Sequence, residues 1–299
     1  MSIRVAIVGY GNIGKYALDC ILAEPDMEFA GVIRRKVGGS LPEELQSVPV
    51  VTDVTELGHV DVALLCVPTR SIYEEAPKYL ERGICTVDSF DIHGEPMWEL
   101  KTSLDKVAKV HNSAAVISAG WDPGSDSMIR GIMNLMVPRG ITYTNFGPGM
   151  SMGHSVVAKC IAGVEDAVSI TIPLGTSLHR RLVYIKLKPD ASFDEVSEAI
   201  KKDSYFSKNE TYVYVVEDLE NVKDMGHGVL IEHKGKAGAS HNQLLNYSHR
   251  INNPAVTSQV MVSSARAIMK QKPGCYTMLE IPICDYLTLD IHQIVTTMV

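Results

Sequence analysis

The chain reads as an α/β protein, a Rossmann-type doubly wound parallel sheet joined to a second α+β domain. Three observations predict this. The segment Gly9-Tyr10-Gly11-Asn12-Ile13-Gly14 follows the apolar run Ile3 to Val8 and opens a helical pattern, the strand–turn–helix setting of a dinucleotide fingerprint. Strand and helix signals then alternate to about residue 120, which implies a parallel sheet covered on both faces. After Pro138 the pattern changes to half-wet strands with only two interrupting helices.

Taken in order, Ile3 to Val8 is the first strand, and Ile13, Ala17, Leu18, Ile21 and Leu22 share one face of the first helix. Gly9 permits the turn, Gly11 lets backbone approach a pyrophosphate, and Gly14 lets the helix lie on the sheet. The helix N-terminus offers N–H groups and a positive dipole end to phosphates; the alternative is a plain glycine-rich turn. Met27 to Ile33 is the second strand and ends in Arg34-Arg35-Lys36. An acid near this position suits the ribose 2′-hydroxyl of NAD, whereas Arg34 and Arg35 suit the 2′-phosphate of NADP. A solvated basic turn is the alternative.

Val60 to Val67 is almost continuously apolar and reads as a buried parallel strand ended by Pro68-Thr69. Ser71 to Arg82 is a helix stopped by Gly83, Ile84 to Val87 a strand, Glu95 to Val110 a helix, and Ala115 to Ser118 a further strand. Ligands of such a sheet lie at the carboxyl ends of its strands. Cys66, Val67, Pro68 and Thr69, Asp88 to Asp91, and Gly120 to Gly124 should therefore open on the same crevice as Gly9 to Gly14.

In the second region Ile141 to Phe146, Ala167 to Pro173, Arg181 to Leu187, Thr211 to Val216 and Val229 to His233 read as strands, with helices near His154 to Ile161 and Phe193 to Lys201. Asn253-Pro254 starts a long helix to about Lys270. Tyr276 to Ile281 and Thr288 to Met298 read as a strand and a helix that return to the first domain. The expected division is 1–120 with 255–299 for the dinucleotide domain, and 121–254 for the second.

Bulk properties narrow the function. The 299 residues are 45% hydrophobic and 21% charged, with net charge −7, and no basic stripe suggests nucleic acid. No apolar stretch is long enough for a membrane helix, and the chain runs straight into a strand with no charged leader. The six cysteines have no metal or C-x-x-C spacing, so a reducing cytoplasm is expected and no metal site is read.

Several polar groups could do chemistry. Gly120-Trp121-Asp122-Pro123-Gly124 would aim an indole and a carboxylate into the crevice, and a carboxylate there suits a cationic amine or a proton transfer. A structural turn with an exposed aspartate is the alternative. The glycines of Asn145 to Ser155 could free N–H groups for a carboxylate nest, or form an interdomain loop. An arginine from Arg180-Arg181, with His227 and a threonine hydroxyl, could hold a carboxylate; taken singly, each is more often a surface charge or a satisfied histidine.

The blocks V-G-Y-G-N-I-G, C-T-V-D-S-F-D, S-A-G-W-D-P-G, F-G-P-G-M-S-M-G-H-S, N-Q-L-L-N-Y-S-H-R-I-N-N-P and Y-T-M-L-E-I, in this order, make the chain resemble the meso-diaminopimelate D-dehydrogenase family over essentially its whole length. The resemblance implies a cytoplasmic homodimer that uses NADP⁺ to deaminate the D-centre of meso-2,6-diaminopimelate, in lysine and cell-wall precursor synthesis. It implies that Asp88, Asp91 and Asp122 surround the two ammonium groups, with Asp122 nearest the reacting amine. By the same resemblance Trp121 and Phe146 wall the D-centre, and Thr171, Arg181 and His227 hold its carboxylate. Met152, Gly153 and Asn253 bind the distal L-centre. The stretch between Arg181 and Thr211 is short for the family and resembles a subtype with looser selection, some of whose members aminate 2-keto acids to D-amino acids. A semialdehyde dehydrogenase, a dihydrodipicolinate reductase and a non-catalytic NADP-binding module are the other readings. The first needs a poised cysteine, and only Cys66 falls at a crevice position.

Overall fold

The computed structural model describes residues 2–36, 42–223 and 226–299. The chain forms two units, Met1–Met128 with Pro254–Val299, and Ile129–Asn253. The cut falls after Met128 rather than after residue 120. The intervening turn packs on the first unit: a Cβ on Gly124 would lie 2.7 Å from the Ser118 carbonyl oxygen and 2.8 Å from Met278 Sδ.

In the first unit the strands are β1 (Ile3–Val8), β2 (Met27–Ile33), β3 (Val50–Val51), β4 (Val62–Leu65), β5 (Cys85–Asp88), β6 (Ala114–Ile117) and, from the tail, β14 (Gly274–Thr277). They form one sheet in the order β14-β6-β5-β4-β1-β2-β3, and every neighbouring pair is parallel. The order reverses between β1 and β4, so the crevice for a ligand opens at their carboxyl ends.

The near-continuous apolar strands have a simple cause. Alternate residues point to opposite faces, and helices cover both. Val5, Ile7, Val62, Leu64 and Val116 pack with helices α1 (Asn12–Ala23) and α7 (Asn253–Ile268). Ala6, Val8, Ala63, Leu65 and Ile117 pack with α2 (Ile72–Leu80) and α3 (Glu95–Val110) on the other face. On α7, Arg266 binds Glu24 at 2.6 Å and Asp26 at 2.5 Å, tying the returning tail to the start of the sheet. Helix α8 (Ile291–Met298) closes the chain.

Helix α4 (Asp126–Met136) leads into the second unit. This unit contains β7 (Arg139–Phe146), β8 (Gly149–Met150), α5 (Met152–Lys159), β9 (Val164–Gly175) and β10 (Leu178–Leu187). It continues with α6 (Phe193–Lys202), β11 (Glu210–Val215), β12 (Gly226–Ala237) and β13 (Ser240–Asn252). One sheet runs β11-β10-β9-β8, the other β13-β12-β7. Only β10 and β11 are parallel, and α6 is the crossover that such a pair needs. Strand β13 was not expected. Its Asn, Ser and His residues carry little strand signal, and it forms because it pairs along nearly all of β12. No helix among the described residues is long and apolar enough to cross a membrane.

Candidate active site

The glycine loop is built by three glycines with different reasons. Gly9 has φ +87°, and a Cβ there would lie 2.6 Å from the Cys66 carbonyl oxygen. A Cβ on Gly14 would strike the Gly9 carbonyl oxygen. These two seal β1 to β4 and α1 to the turn. Gly11 is unlike them, because nothing lies within 4 Å of its Cβ position. The protein itself does not need glycine there; a ligand lying on the loop would.

Gly11 caps α1 without a side-chain hydrogen bond, and no acidic residue stands in the first turn, so the N–H groups around Asn12 and Ile13 remain for an anion. The loop therefore fits a pyrophosphate. Tyr10 sits beside it with its phenol 3.4 Å from Glu44, its pKa pushed up to about 12 by burial and that carboxylate. Arg34 and Arg35 follow β2, and neither makes an ion pair with a described residue. We expect Gly11→Ala to keep the melting temperature of the parent while weakening NADP⁺ binding tenfold or more in a fluorescence titration. Gly14→Ala should lower the melting temperature. Unchanged NADP⁺ affinity in Gly11→Ala would remove the loop from the cofactor site.

The strand ends carry the polar groups. Val67 packs against the Gly9 position, and Pro68 and Thr69 turn the chain after β4. Burial pushes the Cys66 thiol up to about 12, so it is no thiolate nucleophile of the semialdehyde dehydrogenase kind. Thr69 Oγ1 donates to Asp91 Oδ1 at 2.7 Å.

Asp88 departs from expectation. It is wholly enclosed and cannot surround a substrate ammonium from there. Instead Oδ1 accepts from the N–H of Phe90 at 2.9 Å and of Ser118 at 3.0 Å, and its carbonyl accepts from Ala119 N–H at 2.6 Å. It binds the two loops that carry Asp91 and Asp122. Burial pushes its carboxyl up to about 6, against the pull of the two N–H donors.

The folded state holds this proton where the unfolded state has lost it, so stability falls as pH rises from about 4 to 6. An Asp88→Asn variant should lack that component, about 3 kcal/mol by the size of the shift. Parallel pH titrations of denaturation midpoint for the two proteins would show it; identical profiles would rule it out.

After β6 the segment Trp121–Ser125 winds a wide turn, and Asp122 within it is extended (φ −138°, ψ 126°). Trp121 is 7% exposed and the Asp122 carboxylate 6% exposed, so neither stands in bulk solvent. Asp122 Oδ2 lies 3.5 Å from His93 Nε2, a residue the sequence reading missed.

In the second unit Thr171 of β9 and Arg181 of β10 are register partners, and Arg181 Nη1 donates to Thr171 Oγ1. Arg181 is 7% exposed, and no carboxylate among the described residues pairs with it. Burial brings it down to about 10, which leaves it charged at neutral pH. Around it lie His179 and His227, each lowered to about 4 by burial and then by Arg181, and each hydrogen-bonded to backbone at Thr144 and Gly149 respectively. His179 Nε2 accepts from Phe146 N–H at 2.8 Å, and the two rings lie 5.4 Å apart. This arrangement is a neutral, partly aromatic wall about one buried cation.

The first glycines of the block between β7 and α5 serve packing. Gly147 N–H is spent on the Gly228 carbonyl at 2.7 Å, and a Cβ on Gly147 would lie 2.5 Å from the Thr171 carbonyl oxygen. A Cβ on Gly149 would strike the Gly226 carbonyl oxygen. The glycines let β8 squeeze between neighbours. Met152 and Gly153 open α5, whose His154 is a satisfied peg between Ser151 Oγ (2.8 Å) and the Tyr205 carbonyl (3.0 Å). Asn253 opens α7.

Residues 120–253 match the family model described as diaminopimelic acid dehydrogenase C-terminal domain, and residues 3–87 match the oxidoreductase family, NAD-binding Rossmann fold. The chain is 54% identical over 289 residues to the meso-diaminopimelate D-dehydrogenase of Bacteroides fragilis, covering 97% of this chain and 96% of that one. It belongs to the meso-diaminopimelate D-dehydrogenase family. A family member from Lysinibacillus sphaericus is 32% identical over 94% of each chain. The solved C. glutamicum DAP dehydrogenase in complex with DAP superposes with a TM-score of 0.89 at 27% identity, covering 100% of this chain and 99% of that one. An engineered D-amino acid dehydrogenase bound to NADP⁺ gives 0.89 at 26% identity over all of both chains. Like these family members, the chain is an oxidoreductase with a Rossmann domain. His93 beside Asp122 and His179 beside Arg181 carry no sequence signal: ten histidines are scattered along the chain, and only the fold places these two there.

Proposed function

We propose that this enzyme oxidatively deaminates the D-centre of meso-2,6-diaminopimelate with NADP⁺, giving L-2-amino-6-oxopimelate, ammonia and NADPH, reversibly. The observation that carries the reading is the buried Arg181 without a carboxylate partner among the described residues. A buried cation is costly unless paired, and a substrate carboxylate supplies the missing charge. Neutral His227 and the Thr171 hydroxyl add hydrogen bonds without further charge.

NADP⁺, when bound on the glycine loop with its 2′-phosphate at Arg34 and Arg35, supplies the hydride acceptor. The chain's own residues do the rest. The D-centre ammonium has no free lone pair until it loses a proton, and Asp122 takes it, directly or through water. Trp121 and Phe146 wall the D-centre and limit water. Asp91 attracts an ammonium group; Met152, Gly153 and Asn253 hold the L-centre. Gripping both ends sets which carbon faces the nicotinamide, so positioning carries much of the rate. Water then hydrolyses the iminium.

Absorbance at 340 nm with meso-diaminopimelate and NADP⁺ tests the reading. Growth of NADPH is expected; none, with NADP⁺ still bound, would leave a binding module. Activity equal or greater with simple 2-keto acids and ammonia would favour the broader D-amino-acid dehydrogenase. Arg35→Ala should weaken NADP⁺ by about 1.5–3 kcal/mol, the value of a charge-assisted hydrogen bond, and leave NAD⁺ unaffected. Equal weakening of both would make Arg35 structural.

The same reading makes the protein a cytoplasmic homodimer. All six cysteines are free thiols, as a reducing compartment allows. Ile291, Val295 and Met298 on α8 are exposed and suit a second copy. Light scattering tests the dimer.

A further inference from the structure

The reaction as proposed releases one proton per turnover. The substrate enters as an ammonium, gives its first proton to Asp122, and loses a hydride; water adds, and the nitrogen leaves as ammonium. The balance is substrate, NADP⁺ and water in, and oxo-acid, NADPH, ammonium and one H⁺ out. That H⁺ is the one left on Asp122, and the next turnover cannot begin until it departs. The Asp122 carboxylate is 6% exposed, so it exchanges poorly with solvent by itself.

A titratable side chain stands beside this carboxylate. His93 stands in the loop between β5 and α3, with Nε2 3.5 Å from Asp122 Oδ2, while its own side chain is 57% exposed. Nε2 faces the carboxylate, and more than half of the side chain is open to water. An imidazole can accept at one ring nitrogen and release from the other, which suits it to pass a proton outward. The loop is anchored for this geometry: Asp88 holds Phe90 N–H on the His93 side and Ser118 N–H on the Asp122 side with one carboxylate oxygen. The other carboxylate on the same loop, Asp91, is engaged by Thr69.

We propose that His93 is the relay through which the proton taken by Asp122 leaves the site, and by which it returns in the aminating direction. His93 touches neither hydride nor substrate carbon and acts through Asp122. This rests on the function proposed above. The bonds are balanced: Asp122 O–H breaks as His93 Nε2–H forms, and His93 Nδ1–H gives its proton to water or buffer.

The test is His93→Gln beside the parent enzyme. The expected result is a fall in kcat of about tenfold. That is less than the ~10²–10⁴ of a direct acid–base group, because Asp122 still takes the first proton. KM, NADP⁺ affinity by fluorescence and melting temperature should stay at parental values. Added imidazole should restore kcat in a concentration-dependent way in His93→Gln, and should not restore Asp122→Asn. A kcat within twofold of the parent, or a loss that imidazole does not repair, would overturn the relay. If the parent itself fails to reduce NADP⁺ with diaminopimelate, the functional reading is what fails; a working parent with an indifferent His93 leaves that reading standing.

Discussion

Arg181→Ala is expected to raise KM for meso-diaminopimelate by at least about 30-fold, with NADP⁺ affinity unchanged. Truncating one member of a buried, hydrogen-bonded charge pair costs about 2–5 kcal/mol, much of it from leaving the other charge unpaired. Here the other charge would be the substrate carboxylate, placed in a wall whose histidines His179 and His227 are neutral near pH 7. A companion variant separates binding from folding. Arg181→Met keeps most of the volume and removes a buried charge that has no carboxylate partner among the described residues. It should melt at or above the parental temperature while binding substrate no better than Arg181→Ala. Steady-state kinetics and thermal melts with and without diaminopimelate check both. An unchanged KM would discard the carboxylate assignment, whatever happens to stability.

Asp122→Asn is expected to lower kcat by about 10²–10⁴-fold, the range for loss of a positioned general base. The amide keeps the shape of the side chain in its turn but cannot take a proton from an ammonium. NADP⁺ binding should be unaltered, since the glycine loop lies at the end of β1 and the turn follows β6. A loss below tenfold would move the base elsewhere, with Asp91 the next carboxylate to examine.

Much of this was legible along the chain. Strands β1 and β2 and helix α3 fall where periodicity puts them, because apolar spacing and a stop signal are local properties. The glycine loop was legible for the same reason: a positive φ at Gly9 is demanded within a few residues of where it is met. Strand β13 was not, since its pairing with β12 and not its composition makes it a strand. Gly147 and Gly149 invited a nest, yet their purpose is close passage past Thr171 and Gly226, neighbours far away in sequence. Asp88 carried the right side chain for an ammonium site, and packing enclosed it as the tie between two loops.

The order of residues alone pointed to a nucleotide loop, a basic pair after the second strand and the family blocks around Trp121 and Phe146. The tertiary structure decided which acids stay reachable, which cation is buried among neutral histidines and which histidine meets Asp122. The physical reason is that dihedral demands and hydrophobic periodicity act over a few residues, whereas access, desolvation and charge proximity arise only when distant strands and loops are brought together.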